Sequence, residues 1–397
     1  MVRAGKHQRT LVKFGDVVRN ANLVERDAAA AGLKRIVGLE HMEPENLHIR
    51  RWDSPGDASS FSRKFVQGQT LFGKRRAYQR KVAFAEFDGI CSGDILTFEP
   101  VDPKILLPEL LPFICKTDKF FDYALGTSAG SLSPRTSWGA LKNFEFPLPP
   151  LAEQKRLAEI LWAADEAASH IEHIWRDANV LLDSMRTECF GTGQHVRRHL
   201  RPALKAIVAG KSVVGASSPA GVGEYGVLKV SAVGPDGFQP SENKRLLDAS
   251  LFVTRFGVKK DSLLMTRCNT AELVGRVCWT TQDYPNLMLC DKTLQLVVND
   301  EMAEPRFIFE MLRSRDMRRQ LIGCATGTGG AMKNITQEDI HALRVPLPSL
   351  NVQRQIAATM TAVRNGAAAA GNHVANLRQI ALILVNGIFD FRRGIDV

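Results

Sequence analysis

A chain of 397 residues, 45% of them apolar, is long enough for two or three domains, each with its own core. The net charge of +10 and a pI near 9.3 point to a polyanionic partner, nucleic acid before a membrane surface. Seven cysteines (91, 115, 189, 268, 278, 290, 324) form no CxxC and no close Cys/His cluster, which argues against a zinc site or a disulfide framework and for reduced cytosolic thiols.

The opening MVRAGKHQRTLVKFGD is basic but lacks the apolar core of a signal peptide, and the run Ile380–Ile388 is too short and too interrupted to span a bilayer. Residues 14–39 read as short strands and turns. Strands follow at Thr70-Leu-Phe, Lys81-Val-Ala-Phe-Ala and Asp94-Ile-Leu-Thr-Phe, punctuated by glycines 68, 73, 89 and 93. Residues 107–125 read as one helix, with Leu110, Ile114 and Phe121 on its apolar face. A small-residue loop from Gly126 leads to Ser137, placed to cap a short helix SWGALKNF before the strand Phe144–Pro149.

The stretch PLPPLAEQKRLAEILWAADEAASHIEHIWRDANVLLDSMR, residues 147–186, then opens a long helix, and it has a second copy beginning VPLPSLNVQRQIAATM at Val345. Pro147 matches Pro346 and Gln154 matches Gln353, an offset of 199 in both cases, so the chain is a tandem duplication. The intervening residues repeat the element order. Gly226–Ala232 corresponds to Ile36–Glu40, and Leu263–Thr270 to Leu71–Tyr78. Arg306–Ile322 corresponds to the helix at 107–125, and Gly327–Met332 to the small-residue loop. Thr336-Gln-Glu-Asp caps the short helix. The two middles share little sequence, which suggests similar modules that read different things.

Both long helices carry a heptad pattern. Leu157, Ala164, Ile171, Ala178 and Met185 interleave with Leu161, Ala168, Trp175 and Leu182 in the first. Ile356, Val363, Ala370, Leu377, Leu384 and Phe391 interleave with Met360, Ala367, Val374, Ala381 and Ile388 in the second. The registers superpose at the repeat offset, so the helices are expected to pair with each other, antiparallel, through Leu157, Leu161, Ile171, Trp175, Leu182, Ile356, Met360, Val363, Val374, Leu377 and Leu384. At about 1.5 Å per residue each would run to roughly 60 Å and act as a spacer.

No catalytic constellation emerges. Gly221-Val-Gly-Glu-Tyr-Gly226 precedes a strand rather than opening a helix, and Ala209-Gly-Lys-Ser lacks the upstream glycine of a phosphate-binding loop. Glu153-Gln-Lys155 opens a helix and has no strand-borne Asp beside it. His41, His48, His170, His173 and His341 lack the spacing of a catalytic or metal cluster and read as surface or packing residues. No catalytic residue and no metal ligand is therefore assigned.

The binding signals are stronger. Lys74-Arg75-Arg76-Ala-Tyr78-Gln-Arg80-Lys81 places five basic residues and an aromatic between strands. A charge run is ordinarily a solvated face, but on a turn projecting from a sheet such residues neutralise phosphates, and Arg forks onto guanine. The second copy offers Arg267, Asn269 and Thr270, with Lys292 later. The small-residue loops add Arg135 and Lys142 in the first copy and Lys333 and Asn334 in the second. Gly130 and Gly329–Gly330 would let backbone approach a phosphate.

The paired motifs FPLPPLAEQKRLAEIL and VPLPSLNVQRQIAATM, each behind a small-residue loop, resemble the repeated regions of type I restriction-modification specificity subunits. GKRRAYQRKVAFAEFDGICSGDIL and LLMTRCNTAELVGRVC are similar to the middle of that family's target recognition domains. The resemblance spans nearly the whole chain. It implies an α+β architecture: recognition domains at 1–148 and 191–348, mixed α/β, separated by long helices at 149–190 and 349–391 that pair as an antiparallel coiled coil. It further implies double-stranded DNA as ligand, each domain reading half of a bipartite site. Two methyltransferase subunits, which carry S-adenosylmethionine, dock on the helices, and a restriction/translocase subunit is left open. The chain itself would hold no cofactor, touch no membrane, catalyse nothing and work in the cytoplasm. The competing expectations are a non-catalytic protein scaffold built on the heptad helices, and a nuclease with an unrecognised centre. Base-reading residues of the family are variable, so the DNA-contact residues above rest on their chemistry and position.

Overall fold

The computed structural model describes residues 10–28, 30–54, 61–191, 196–235, 237–329 and 332–389. Two compact units emerge: Met1–His173 with Ala370–Val397, and Ile174–Ala369.

In the first unit, strands Val18–Asn20, Ile95–Pro100, Thr70–Gly73 and Val82–Phe84 form an antiparallel sheet in that spatial order. A second sheet runs Leu23–Val24, Arg63–Phe65, Gly89–Cys91, Ile36–Val37, with its last pair parallel. Thr10–Lys13 pairs with Glu145–Leu148, the strand that leads into the long helix. The main core is aromatic. Phe14, Phe72, Phe98, Phe120 and Phe146 are fully enclosed, together with Leu161 of the first long helix. Rings stack edge-on within it, as in Phe14–Phe98 at 5.4 Å and Phe72–Phe120 at 5.4 Å.

The second unit repeats this plan. Leu204–Ala209, Thr293–Val298, Leu263–Thr266 and Val277–Trp279 form the first sheet. Asn243–Arg245, Gly226–Leu228, Tyr284–Met288 and Gly257–Val258 form the other, with a parallel pair between Gly226–Leu228 and Tyr284–Met288. The shared part of this sheet is three strands. In the first unit the fourth, Leu23–Val24, joins beside Arg63–Phe65. In the second, Asn243–Arg245 joins the opposite edge, beside Gly226–Leu228. The divergent middles thus extend one common sheet on different sides.

The single helix expected over 107–125 is two, Leu111–Lys116 and Asp118–Gly126, and its repeat is Pro305–Arg313 and Arg315–Cys324. The break is a capping residue. Thr117 and Ser314 leave the helical region (ψ 147° and 151°), and their hydroxyls accept the Phe120 and Met317 amides. The capped short helices are Trp138–Leu141, behind Ser137, and Gln337–Ala342, behind Thr336 with a reciprocal Asp339 bond.

The long helices run Leu151–Phe190 and Leu350–Ile388. Within the first unit they are antiparallel: Leu157 and Leu161 share a core with Val385 and Phe389, while Arg378 donates to Glu172 at 2.8 Å. Within the second unit Leu182 and Phe190 share a core with Ala357 and Met360. Of the heptad residues, Leu157, Leu161, Leu182, Met360 and Val374 are buried, and Ile171, Ile356, Val363, Leu377 and Leu384 are half-buried. Trp175 departs from the pattern at 42% exposed. Phe391 of the heptad series lies outside the described residues.

The repeated glutamine explains how each helix is anchored. Gln154, 1% exposed, accepts the Leu107 amide at 3.0 Å and donates to the Ile105 and Pro149 carbonyls, both at 2.8 Å. Gln353, also 1% exposed, accepts the Glu304 amide at 3.0 Å and donates to the Met302 and Pro348 carbonyls at 3.4 and 2.9 Å. Each glutamine ties the first turn of its helix to the loop entering the preceding helical segment.

Candidate nucleic-acid interface

Both units build their basic surface on one backbone frame. In the first, the Lys74 amide donates to the Asp94 carbonyl (2.9 Å), and the Thr136 amide donates to the Lys74 carbonyl (3.0 Å). Arg75 bridges Arg135, which bridges Ala129. In the second, the Arg267 amide donates to the Lys292 carbonyl (2.8 Å), and the Ile335 amide donates to the Arg267 carbonyl (3.0 Å). Cys268 and Asn269 pair with Asn334 and Lys333, and Thr326 pairs with Asn334. Lys74, Asp94 and Thr136 therefore occupy the places of Arg267, Lys292 and Ile335. The hairpin Thr326–Gly329 to Met332–Asn334 needs Gly327, whose φ is +149° and whose missing Cβ would lie 2.4 Å from the Met332 carbonyl. Gly130 has a φ of +108°, while Gly330 lies outside the described residues.

The side chains on the frame differ. In the first unit Asp94 collects arginines: Arg135 donates through Nε to Oδ1 at 2.9 Å, and Arg75 reaches Oδ2 at 3.4 Å while its Nε donates to Ser133 at 2.7 Å. Burial disfavours the charged Asp94, but the Arg135 hydrogen bond and the charges of Arg135, Arg75 and Lys74 hold its pKa below the usual range. Burial, then Arg63, lowers the Lys74 ammonium. In the second unit that place belongs to the exposed Lys292. Asn269 accepts the Thr270 amide, Lys333 donates to the Gly327 carbonyl at 3.1 Å, and Asn334 accepts from Cys268 at 3.2 Å.

The sequence profile of the type I restriction modification DNA specificity domain matches residues 58–177 and 217–373. The chain belongs to this family. It is 27% identical to the EcoDI specificity subunit of Escherichia coli over 163 residues, 38% of this chain and 35% of that one. With the EcoEI specificity subunit of the same organism it shares 25% over 136 residues, 34% and 23% of the two chains. It thus spans about a third or less of the length of these relatives. Its fold resembles the S subunit of a type I restriction-modification system from M. genitalium, with a TM-score of 0.64 at 12% identity over 99% of both chains. A second likeness, TM-score 0.51 at 18% identity over 97% of this chain and 98% of the other, is to a chain solved in a study of complex assembly and conformational transition of the type I R-M system.

On this specificity-family frame part of the expected DNA-contact set falls into two groups, while Arg76, Tyr78, Arg80, Lys81 and Lys142 stand outside them. Lys74, Arg75 and Arg135 gather around Asp94, and Arg267, Asn269, Thr270, Lys292, Lys333 and Asn334 gather on the three-stranded element of the second unit. Tyr78 is 56% exposed on a short turn, Ala77–Gln79, between two residues with left-handed backbone, Arg76 (φ 53°) and Arg80 (φ 52°). Such a backbone costs a non-glycine residue about 1 kcal/mol or more. Arg80 and Lys81, grouped with Arg75 by their spacing, are committed inside the unit. Arg80 donates to Glu45 at 2.6 Å, pairs with Asp118 at 2.9 Å and covers the Phe121 ring at 4.4 Å, and Lys81 donates to the Leu39 carbonyl at 2.7 Å. Lys142 is exposed at the end of its short helix, apart from the Asp94 group, and its carbonyl accepts the Gly15 amide.

Sequence reading missed Asp94 and Ser133, whose partners are not local. His41 and His48, read from the sequence as surface or packing residues, both sit beside carboxylates. His48 is buried between Glu86 (2.7 Å) and Asp165 (2.8 Å) on the long helix, and these bonds raise its pKa to about 9, Asp165 contributing most. His41 lies with Glu40 and Asp53, their ligand atoms within 4.8 Å of one another. Among the described residues no helix is long and apolar enough to cross a membrane.

Proposed function

We propose that the chain is the DNA sequence-specificity subunit of a type I restriction-modification complex. Each recognition domain reads one half of a bipartite site. The long helices set the gap between half-sites and dock two methyltransferase subunits, which supply S-adenosylmethionine and the adenine chemistry; a restriction subunit completes the complex where the host encodes one. The chain selects the sequence and catalyses nothing, and it works in the cytoplasm without cofactor or metal of its own.

The carrying observation is the duplicated frame with exchanged side chains. Lys74 over Asp94 and Arg267 over Lys292 share their backbone bonds, yet one site holds a carboxylate where the other holds a cation. That is the arrangement expected of two readers with a common scaffold and different half-sites. Arginine oriented by a carboxylate suits guanine, and asparagine suits adenine.

The test is to express the chain with its neighbouring methyltransferase and map the modified bases. An asymmetric bipartite motif is expected. Replacing Arg75 or Arg267 by Ala should weaken or retarget one half-site only, by about 1–3 kcal/mol for each base-reading pair lost. A protein-interaction scaffold without DNA specificity would give no site-specific methylation and no response to those replacements. Metal-dependent cleavage by the chain alone would sink the non-catalytic assignment.

A further inference from the structure

A cleft of about 260 Å³ in the second unit is lined by four arginines, Arg186, Arg276, Arg313 and Arg318, and by one carboxylate, Asp183. It lies between the long helix, the end of Pro305–Arg313 and the strand Val277–Trp279.

The arginines are not equally partnered. Arg186 donates twice to Glu310 at 3.1 Å and pairs with Asp183, and Glu310 also pairs with Arg364. Arg318 is held by the Val274 and Glu272 carbonyls, at 2.8 and 3.0 Å, which fixes its position but leaves its charge uncompensated. Neither Arg276 nor Arg313 has a carboxylate within ion-pair distance among the described residues, and the Arg313 Nε is buried without a hydrogen-bond partner. Burial, followed by the charge of Arg186, brings the Arg313 pKa down to about 10. Burial and then Arg276 lower that of Arg318. Withdrawing a cation from water without a counter-charge costs stability. Arg276, Arg313 and Arg318, each half-buried, converge on this cleft, where the one carboxylate, Asp183, is already paired with Arg186; Arg276 lies close in sequence to Arg267, its amide donating to the Thr266 hydroxyl at 3.0 Å.

We propose that this cleft binds a phosphate-class oxyanion. The guanidinium fork matches two oxygens of a tetrahedral anion at once, and a dianion answers the excess positive charge of Arg276, Arg313 and Arg318 better than a halide does. The volume falls below the roughly 300–1,000 Å³ of sites for drug-sized ligands, which fits a small ion or a single phosphate group. The Arg276–Arg313 pair recognises the anion, and Arg186 and Arg318 are positioning residues held by the fold. The assignment does not depend on the DNA-reading role of the chain.

The test is thermal unfolding of the full chain in rising inorganic phosphate, with ionic strength held constant by chloride. A saturable rise in Tm is expected. R276Q and R313Q should each weaken the apparent phosphate affinity about tenfold to hundredfold, the loss expected for one charge-assisted bond. R276K, which keeps the charge but not the fork, should fall between and shows that a folded variant still reports. Phosphate no more stabilising than chloride, equal stabilisation by acetate, or an unchanged response in R276Q would each overturn the site. A second arm identifies the source of the phosphate. If it belongs to the DNA backbone, free phosphate competes with duplex DNA and R276Q reduces the slope of log affinity against log salt by about one. If DNA affinity is unaffected by R276Q, the occupant is free phosphate. Both results uphold the oxyanion site, and neither depends on whether methylation is sequence-specific.

Discussion

Replacing Gln154 by Leu tests how the long helix is fixed to the first unit. The side chain is 1% exposed and makes three hydrogen bonds, all to backbone. Leucine keeps much of the volume but abolishes all three, leaving the Leu107 amide and the Ile105 and Pro149 carbonyls to find other partners. A net loss of about 1 kcal/mol per bond, with a further penalty for a buried donor left unpaired, gives a destabilisation of about 2–4 kcal/mol. Hydrogen exchange read by mass spectrometry localises the effect. Protection around Leu107 should fall about thirtyfold to a thousandfold if exchange follows the same opening. Gln353→Leu should produce the matching loss around Glu304, because its three bonds have the same pattern. A loss below about 1 kcal/mol, or protection unchanged at Leu107 while distant strands exchange faster, would refute the anchoring role.

Three further expectations concern charge and spacing. His48 has its pKa raised to about 9, so its stabilising contribution is complete below about pH 6.5, the unfolded value, and drains away as pH rises through 9. The stability of the first unit between pH 7 and 10 should show this slope, and H48Q should flatten it; an identical slope in H48Q would refute it. Glu310, 1% exposed between Arg186 and Arg364, is the counter-charge of a buried triad, so E310Q should destabilise the second unit by about 3–5 kcal/mol in urea titrations, and a near-neutral result would refute the pairing. Deleting one heptad from both long helices should leave each unit folded and change the gap in the methylated motif. An unchanged gap would refute the spacer role.

Much of the architecture was legible because it is periodic or repeated. Leu157, Leu161, Leu182 and Met360 recur at heptad spacing, and their burial follows from that spacing. The short helices behind Ser137 and Thr336 were legible from their caps. Thr117 and Ser314 were equally local signals, but the apolar residues on either side run on with helical spacing and hid the break. The edge strand Asn243–Arg245 was not legible, and Leu23–Val24 only as part of a stretch of short strands and turns, since two or three residues pair there only because a distant strand offers an open edge. The same limit applies to the basic run. Lys74 through Lys81 looks uniform in sequence, yet Glu45 and Asp118 draw Arg80 inward while Asp94 and Ser133 hold Arg75 at the surface element. Which cation remains available depends on carboxylates and hydroxyls delivered by other strands and loops.

The two copies show why some positions stayed alike and others diverged. Gln154 and Gln353 bond only to backbone, and backbone carbonyls and amides are the same in both copies, so one side chain serves both. Thr336 and Ser137 satisfy helix amides in the same way. Asp94 and Lys292 share their main-chain bond to Lys74 and Arg267, but their side chains project from the frame and answer to other side chains. Asp94 must suit Arg75 and Arg135; among the described residues no carboxylate pairs with Lys292, which stands exposed. A frame held by backbone bonds therefore leaves its projecting side chains free to change sign. That freedom is what a subunit needs if its two halves are to recognise different sequences without refolding, and it places the expected specificity changes at Asp94, Arg135, Lys292 and Asn334 rather than at the glutamines and caps.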